Sequence, residues 1–530
     1  MKRLNEKQKK WIERTVANDR SYKVLLYNRF FLVLFFVLAQ LLGYGILLLA
    51  FAYNSQVGVF VQLTVFILEL VFILRIISDT LHPSTKLNWI IVILIFPVFG
   101  VPMYLFNGGG RPARRMKKKV EKSRVQVFNE WEESNMKPAL PQHKTRADGI
   151  TKYVAFYAGY PVYKDGEVKY YKSGEDAFPD ILDALNKAEH YILLEYFIIA
   201  HGKMWGEILK ILLKKAAQGV KIRIIYDDFG CMMTLPPRYD KYLEELHENI
   251  KCLSFNSVVP FFSLRMNNRD HRKLMIIDGK TAFTGGANLA DEYIAEKRRF
   301  GYWKDTLVRV EGDAVNSFTV MFLYLWNAFR KDALKADEYL IKPASERTGT
   351  LCIQPYDDSP YDTLSIGESV YLDILDRAKD YVWIFTPYLI LDDMTRASIC
   401  RAAMRGVDVR IVTPAVPDKK IVYRLTRANY DMLMKVGVKI YEYTPGFIHA
   451  KSMVSDDECA VVGTINLDYR SLYHHFENAV YFSGCDAVQD VKKDCEEVFA
   501  VSRLCTEKDL KRTWFGKLVN AVLRVFETLF

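Results

Sequence analysis

Metal-site and secretion signatures are missing from this chain. Its eight cysteines (Cys231, Cys252, Cys352, Cys400, Cys459, Cys485, Cys495 and Cys505) include no CxxC pair. No group of His, Cys, Asp and Glu shows metal-ligand spacing, so zinc modules are not expected. The cysteines are scattered through globular-looking sequence, which fits reduced thiols in a cytoplasmic compartment better than a disulfide framework. The first apolar run is not an ordinary signal peptide, being too long and preceded by 29 residues. Net acidity is absent as well: 73 Lys and Arg against 63 Asp and Glu give a formal charge of +10. Such a balance favours an anionic partner, either nucleic acid or an anionic membrane surface.

Long apolar runs are present, and they are confined to the N-terminal fifth. Residues 30–53 are 24 consecutive uncharged, mostly apolar residues, enough to span a bilayer. A second run, 57–74, carries Gln62, Thr64 and Glu69. A third, 87–106, is uncharged but contains Pro97, Gly100 and Pro102, which interrupt helices. Nine Lys or Arg lie in residues 1–29 against three acids, and eight in 111–124 against Glu121. The positive-inside rule places both blocks on the cytoplasmic side, which requires an even number of crossings. The expectation is two spans, 30–53 and 57–77, with a re-entrant or interfacial third segment. Glu69 reads as a helix-packing residue or an intramembrane carboxylate. The basic 111–124 block suits anionic headgroups as well as topology.

Beyond a basic linker, 107–150, the chain is α/β and repeats itself. Tyr191–Ile199 reads as a strand, 203–218 as a helix stopped by Gly219, and Val220–Tyr226 as the next strand. Tyr381–Leu389, 392–405 with Gly406, and Val407–Thr413 repeat the series. Two similar domains facing one another follow, 151–344 and 345–506. The tail, 507–530, places Phe515, Leu518, Val519, Val522, Phe526, Leu529 and Phe530 at helical spacing, with Lys517, Asn520, Arg524 and Glu527 on the other side. That amphipathic helix, with Trp514 at its start, fits a membrane interface or a packed surface helix equally.

The repeat carries one chemical pattern twice. His271-Arg272-Lys273, Asp278, Gly285-Gly286 and Asn288 return as His449-Ala450-Lys451, Asp456, Gly463-Thr464 and Asn466, 178 residues later. Each motif is expected on a strand (His271–Ile277 and His449–Val454), with 281–285 and 459–463 as the strands that follow. Period-2 spacing puts each His and Lys on one face. Two such faces across a cleft offer two imidazoles, two ammoniums and two amides, a site suited to a phosphodiester. One imidazole attacks phosphorus, and the other gives and takes the alcohol's proton. Lys273, Lys451, Asn288 and Asn466 donate to the phosphoryl oxygens. No metal or cofactor is needed. The odd offset of Asp278 and Asp456 points them away from their histidines, a structural placement. Glu195 and Thr386-Pro387-Tyr388 hold matching places in the repeat, in the cleft wall or the core. His474 and His475, being adjacent, diverge and read as surface or rim residues.

The doubled HxK(x4)D pattern resembles the phospholipase D superfamily. The Gly-Gly-x-Asn and Gly-Thr-x-Asn tails and the apolar region upstream narrow the resemblance, over roughly 57–530, to bacterial-type cardiolipin synthases. It implies two α/β sandwiches about a pseudo-twofold axis with the site between them. It also implies a catalytic set of His271, Lys273, Asp278, His449, Lys451 and Asp456, with His271 the nucleophile. Asp305 and Glu477, the acids that follow each motif, look like those that orient the histidines. The tail often reads Gly-Ser-x-Asn in this superfamily. Thr464 keeps the hydroxyl and Gly286 does not. The implied reaction joins two phosphatidylglycerol molecules into cardiolipin and glycerol at a bacterial cell membrane. The implied partners are phosphatidylglycerol and anionic lipids, with no nucleic acid. A helix pair at 59–77 and 88–106 is a competing topology the resemblance suggests, which makes 30–53 an additional helix. Rival activities are lipid hydrolysis, transfer to another alcohol, a nuclease, and a lipid-binding scaffold with a vestigial site. The complete His, Lys and Asn sets in both halves argue against the scaffold.

Overall fold

The structure is a computed structural model. It describes residues 55–79, 83–96, 100–107, 111–134, 136–138, 148–257, 268–342, 350–362, 365–510, 513–525 and 527, with isolated positions between 38 and 52. The basic segment 1–29, most of the 30–53 run, Phe526 and residues 528–530 lie outside the described residues.

Ser55–Ser78 is a 24-residue helix. Its stretch Gln56–Ser78 is the one helix among the described residues long and apolar enough to cross a membrane. The third apolar segment is not continuous. Pro83–Ile95 and Gly100–Asn107 are separate helices of 13 and 8 residues, each short of a bilayer's thickness at about 1.5 Å rise per residue. They fold back so that Ile76, Ile93 and Tyr104 are buried together. The Tyr104 ring stands edge-on to Phe72 and Trp89, at 6.2 and 5.5 Å. Among the described residues, 88–106 is therefore assigned to two helices.

The segment expected as a linker contains a 23-residue helix, Arg111–Glu133. Met116, Val120, Val127 and Trp131 repeat on one face of it and are buried in the main core, while Lys118 and Lys119 are exposed. The dense charge of this stretch masked its apolar stripe. Its principal packing partner is Val315–Phe329, a helix in which every residue from Val315 to Trp326 is buried.

Each half is built on one sheet. The first runs Glu167–Tyr171, Leu307–Glu311, Thr281–Gly285, Lys273–Ile277, Tyr191–Tyr196, Lys221–Asp227, Ile250–Phe255. The second runs Cys352–Asp358, His475–Ser483, Cys459–Gly463, Ser452–Ser455, Tyr381–Phe385, Asp408–Pro414, Lys439–Tyr443, and adds Ser502–Leu504 at its edge. The two orders correspond strand for strand. In both, a parallel pair of β-branched strands meets an antiparallel motif hairpin, and helices cover the faces.

The halves also exchange backbone. Arg269–Asp270 of the first pairs with His475–Phe476 of the second. Gly446–Ile448 of the second pairs with Tyr302–Lys304 of the first. The motif strands are thus interrupted where a single run was expected. The chain pairs with the opposite half before each motif histidine and with its own sheet after it. His271 and His449 lie in those two breaks.

Candidate active site

At each break the histidine is fixed by the other half of the molecule. The His271 amide donates to Phe476 O at 2.8 Å, and the His449 amide donates to Lys304 O at 2.7 Å. The side chains repeat the exchange. His271 Nδ1 lies 2.9 Å from both carboxylate oxygens of Glu477, and His449 Nδ1 lies 2.7 Å from Asp305 Oδ2. Each acid is the residue immediately after the one whose carbonyl holds the opposite histidine's amide. A carboxylate at Nδ1 keeps the proton there and leaves Nε2 for a substrate. The sequence pointed to both acids, but their crossing between halves had no sequence signal.

The two acids are anchored differently. Thr464 donates its hydroxyl to Glu477. At the matching place in the first half, a Cβ on Gly286 would overlap the Asp305 carboxylate. Asp305 Oδ1 instead accepts from the Thr306 amide at 2.9 Å. Gly286 thus makes room for an acid held by its own backbone, so the absent hydroxyl leaves Asp305 anchored.

Lys273 and Lys451 are buried beside the histidines. Lys273 Nζ donates to His271 O at 2.6 Å. Lys451 Nζ donates to His449 O and is 2.8 Å from His449 Nδ1. Burial lowers the Lys273 ammonium to about 8 and the Lys451 ammonium to about 7. Burial, and next Lys451, lowers His449 to about 4. His271 is pushed well below the usual imidazole value by burial, then by Lys273, His475, Lys451 and His449. Burial raises Glu477 well above the carboxylate range. Burial thus works against the charged form of both ammoniums and both imidazoles.

Asn288 has its carbonyl on the Ile198 amide and one amide hydrogen on the Tyr293 hydroxyl, both at 2.9 Å. Asn466 Oδ1 is buried with no hydrogen-bond partner among the described residues. Asp278 and Asp456 are not brought to the histidines. Asp278 accepts from the amides of Glu189, His190 and Tyr191 at 2.7, 2.8 and 2.7 Å. Asp456 accepts from Lys379, Asp380 and Tyr381 at 2.9, 3.0 and 2.8 Å. Both have positive φ, 51° and 53°, and each turn ties the end of its motif strand to the start of its sheet neighbour. The geometry assigns them to the fold, in place of the catalytic role the motif implied.

Glu195 does not line the cleft either. It pairs with the fully buried Arg272 at 2.7 Å, the residue between motif His and Lys that must point to the back of the strand. Arg272 also faces Asp270 and Asp357, each at 3.4 Å. Arg124 of the Arg111–Glu133 helix reaches Asp357 at 3.8 Å and Asp362 at 3.0 Å. Tyr388 does border the site: its ring is 6.5 Å from Phe447, itself 6.0 Å from the His449 ring.

His475, expected at the surface or rim, is half-buried and borders the site. Its ring is 5.5 Å from that of His271, and neither ring nitrogen has a hydrogen-bond partner among the described residues. His271, His475 and Glu477 form the one group of possible metal ligands among the described residues, their atoms within 4.8 Å of one another. A cation there would compete for the Nδ1 that Glu477 orients.

The family described as "Cardiolipin synthase, PLD-like domain" matches residues 181–326 and 371–499, which contain both motifs. "Phospholipase_D-nuclease N-terminal" matches residues 67–109. A cardiolipin synthase of Alkalihalophilus pseudofirmus is 32% identical over 88% of this chain and 93% of its own length. Cardiolipin synthase 2 of Bacillus anthracis is 33% identical over 86% and 88%. An uncharacterized protein of Streptococcus mutans is 43% identical over 86% and 99%. Among solved structures, phosphatidylserine synthase of Haemophilus influenzae shares the fold with a TM-score of 0.53. It covers 68% of this chain and 95% of its own, at 13% identity. With two phospholipase D-like halves meeting at the paired motifs, the chain belongs to the cardiolipin synthase family and is a phosphatidyltransferase.

Proposed function

We propose that the enzyme transfers a phosphatidyl group from one phosphatidylglycerol to another, giving cardiolipin and glycerol through a phosphohistidine on His271. Nε2 of neutral His271 attacks phosphorus. The bond from phosphorus to the departing glycerol oxygen breaks, and His449 delivers the proton that oxygen needs. The second phosphatidylglycerol then presents a glycerol hydroxyl. His449 takes its proton, the alkoxide displaces His271 from phosphorus, and cardiolipin leaves. Lys273, Lys451, Asn288 and Asn466 hold the non-bridging oxygens in both steps.

One observation carries this reading. Both histidines are held by a carboxylate and a backbone carbonyl of the opposite half, beside two buried lysines. The division of labour is supported by the partners. Asp305 opposes the lowering of His449's proton affinity, which suits the acid and base. His271 is held toward its neutral form by burial and next by Lys273, which suits a nucleophile. A bound phosphodiester anion raises the proton affinity of both imidazoles. The lipid substrate is supported by the relatives' names and the apolar Gln56–Ser78 helix. We infer a multi-pass chain in a bacterial cell membrane, with the catalytic body on the cytoplasmic side that both basic blocks favour.

Reconstitution in vesicles of pure phosphatidylglycerol tests the substrate. Cardiolipin and glycerol in equal amounts are expected. Phosphatidic acid with glycerol would make the enzyme a hydrolase. Cleavage of DNA without lipid turnover would refute the lipid reading altogether.

A further inference from the structure

The C-terminal helix Trp514–Val525 is docked the wrong way round for an ordinary surface helix. Its polar side faces the body. Asn520 Oδ1 accepts from Arg424 Nε at 2.7 Å, and Gly516 O accepts from Arg424 Nη2 at 3.1 Å. Arg524 Nη2 donates to Ala428 O at 2.9 Å. Among the described side chains of the helix, only Leu523 joins an apolar cluster, packing against Ile390, Val422, Leu425 and Tyr469. The large apolar side chains point out: Trp514 is 77% exposed, Phe515 67%, Leu518 47% and Val522 53%. At 3.6 residues per turn these four fall within an arc of roughly 100°. Lys517, also exposed, lies beside that arc, with Arg524 next to it. A helix that covers a core does the reverse. A contiguous outward apolar stripe with a basic border marks a surface meant to be covered.

We propose that this helix is a membrane-interface element that lays Trp514, Phe515, Leu518 and Val522 into the headgroup–acyl boundary of an anionic bilayer. The proposal rests on the reading of a bilayer lipid as substrate and adds how the cleft is brought to it. A bilayer suits the stripe better than a protein partner because the border is basic and aromatic residues lead the helix, the pattern of interfacial helices. The placement fits as well. The helix packs on Lys420–Lys435. Immediately before that partner, Asp418 accepts from the Tyr388 hydroxyl at 2.6 Å. Lys419 Nζ lies 5.1 Å from the Tyr388 ring centre, and Tyr388 is joined to His449 through Phe447. Lys419, Lys420 and Ile421 are exposed in the same region. Docking the helix would set this edge of the cleft at the lipid headgroups, where the phosphodiester is.

The test uses the full chain. Leu518→Cys is labelled with an environment-sensitive fluorophore and reconstituted in phosphatidylglycerol vesicles whose acyl chains carry bromine. Lys435→Cys, an exposed position on the helix that carries it, is the control. Quenching at 518 by roughly half, with little at 435, is expected for a helix seated about 5–10 Å into the boundary. Equal quenching at the two positions, or cross-linking of 518 to a second copy or to residues 1–54, overturns the proposal. Independently, Leu518→Asp with Val522→Asp should raise the phosphatidylglycerol mole fraction needed for half-maximal turnover roughly fivefold or more. Turnover of monomeric short-chain lipid should stay unchanged; an equal loss on both substrates would make the helix a packing element. If 518 is quenched and no lipid is turned over, the docking stands and the substrate reading falls.

Discussion

The crossing of the two acids predicts an asymmetry that no same-half pairing would give. Asp305, from the first half, serves His449 of the second, and Glu477 serves His271. Asp305→Asn keeps an acceptor near His449 Nδ1 but removes the negative charge that stabilises its imidazolium. Two unit charges about 4 Å apart at an effective dielectric near 20 interact by about 4 kcal/mol. Local relaxation recovers part of that, so turnover should fall roughly 10²–10³-fold at about 1.4 kcal/mol per decade. The loss lies in protonating the departing alcohol. It should largely disappear, for formation of the phosphoenzyme, with a phosphatidyl ester of p-nitrophenol, which leaves without a proton. Glu477→Gln disturbs the nucleophile and should not be rescued by that substrate. Burst kinetics of p-nitrophenol release in the two variants read this directly. Rescue of Glu477→Gln with no rescue of Asp305→Asn would refute the assignment of the histidines. Equal rescue of both would refute the crossed roles.

Asp278→Ala and Asp456→Ala each leave three amides without their carboxylate. Each should lower unfolding free energy by about 2–4 kcal/mol in denaturant titration, with turnover per folded molecule within roughly threefold. His449 is lowered to about 4 in the folded protein against about 6.5 unfolded. Between those values the unfolded chain binds the extra proton, so stability should fall as pH drops from about 6.5 toward 4. His449→Gln should flatten that dependence in denaturant midpoints at pH 5 and 7. Exhaustive chelation should leave turnover intact, because Lys273 and Lys451 supply the positive charge; excess zinc should inhibit by seizing His271, His475 and Glu477. Loss on chelation with rescue by one divalent ion would contradict the site as described. Accessibility tags at positions 5, 55 and 130 should find 55 alone on the outer side; opposite sides for 5 and 130 would require a third full crossing.

Period-2 and period-3.6 patterns located the sheets and helices because strands such as Tyr191–Tyr196 and Tyr381–Phe385 are buried on both faces and carry strong β-type residues. The motif strands, Lys273–Ile277 and Ser452–Ser455, are shorter than the local alternation predicts. His271 and His449 sit where the chain changes partner, and pairing across halves leaves no trace in local periodicity. The odd offset of Asp278 and Asp456 was legible as a turn to the opposite face, and their triple amide contacts give its reason. The helix Arg111–Glu133 was hidden by its charge: one apolar residue per turn is a weak signal beside eight Lys and Arg in 111–124. The proximity of His475 to His271 came from fold-level juxtaposition, 204 positions apart in sequence, and had no sequence cue of its own. The tail helix shows the limit of amphipathicity as a guide. Its two faces are evident in the sequence, but which of them turns inward is settled by the hydrogen bonds of Asn520 and Arg524 to the body.

The double displacement through His271 is tested most directly by trapping it. The purified full chain is mixed with short-chain phosphatidylglycerol labelled in the phosphatidyl phosphorus, quenched in acid within the first turnover, digested and mapped. Phosphoryl label is expected on the peptide carrying His271, none on that carrying His449, and the label should be lost when excess unlabelled phosphatidylglycerol is added before the quench. Label on the His449 peptide would reverse the roles. Turnover with inversion at a chiral phosphorus and no trapped label on either histidine would contradict the mechanism.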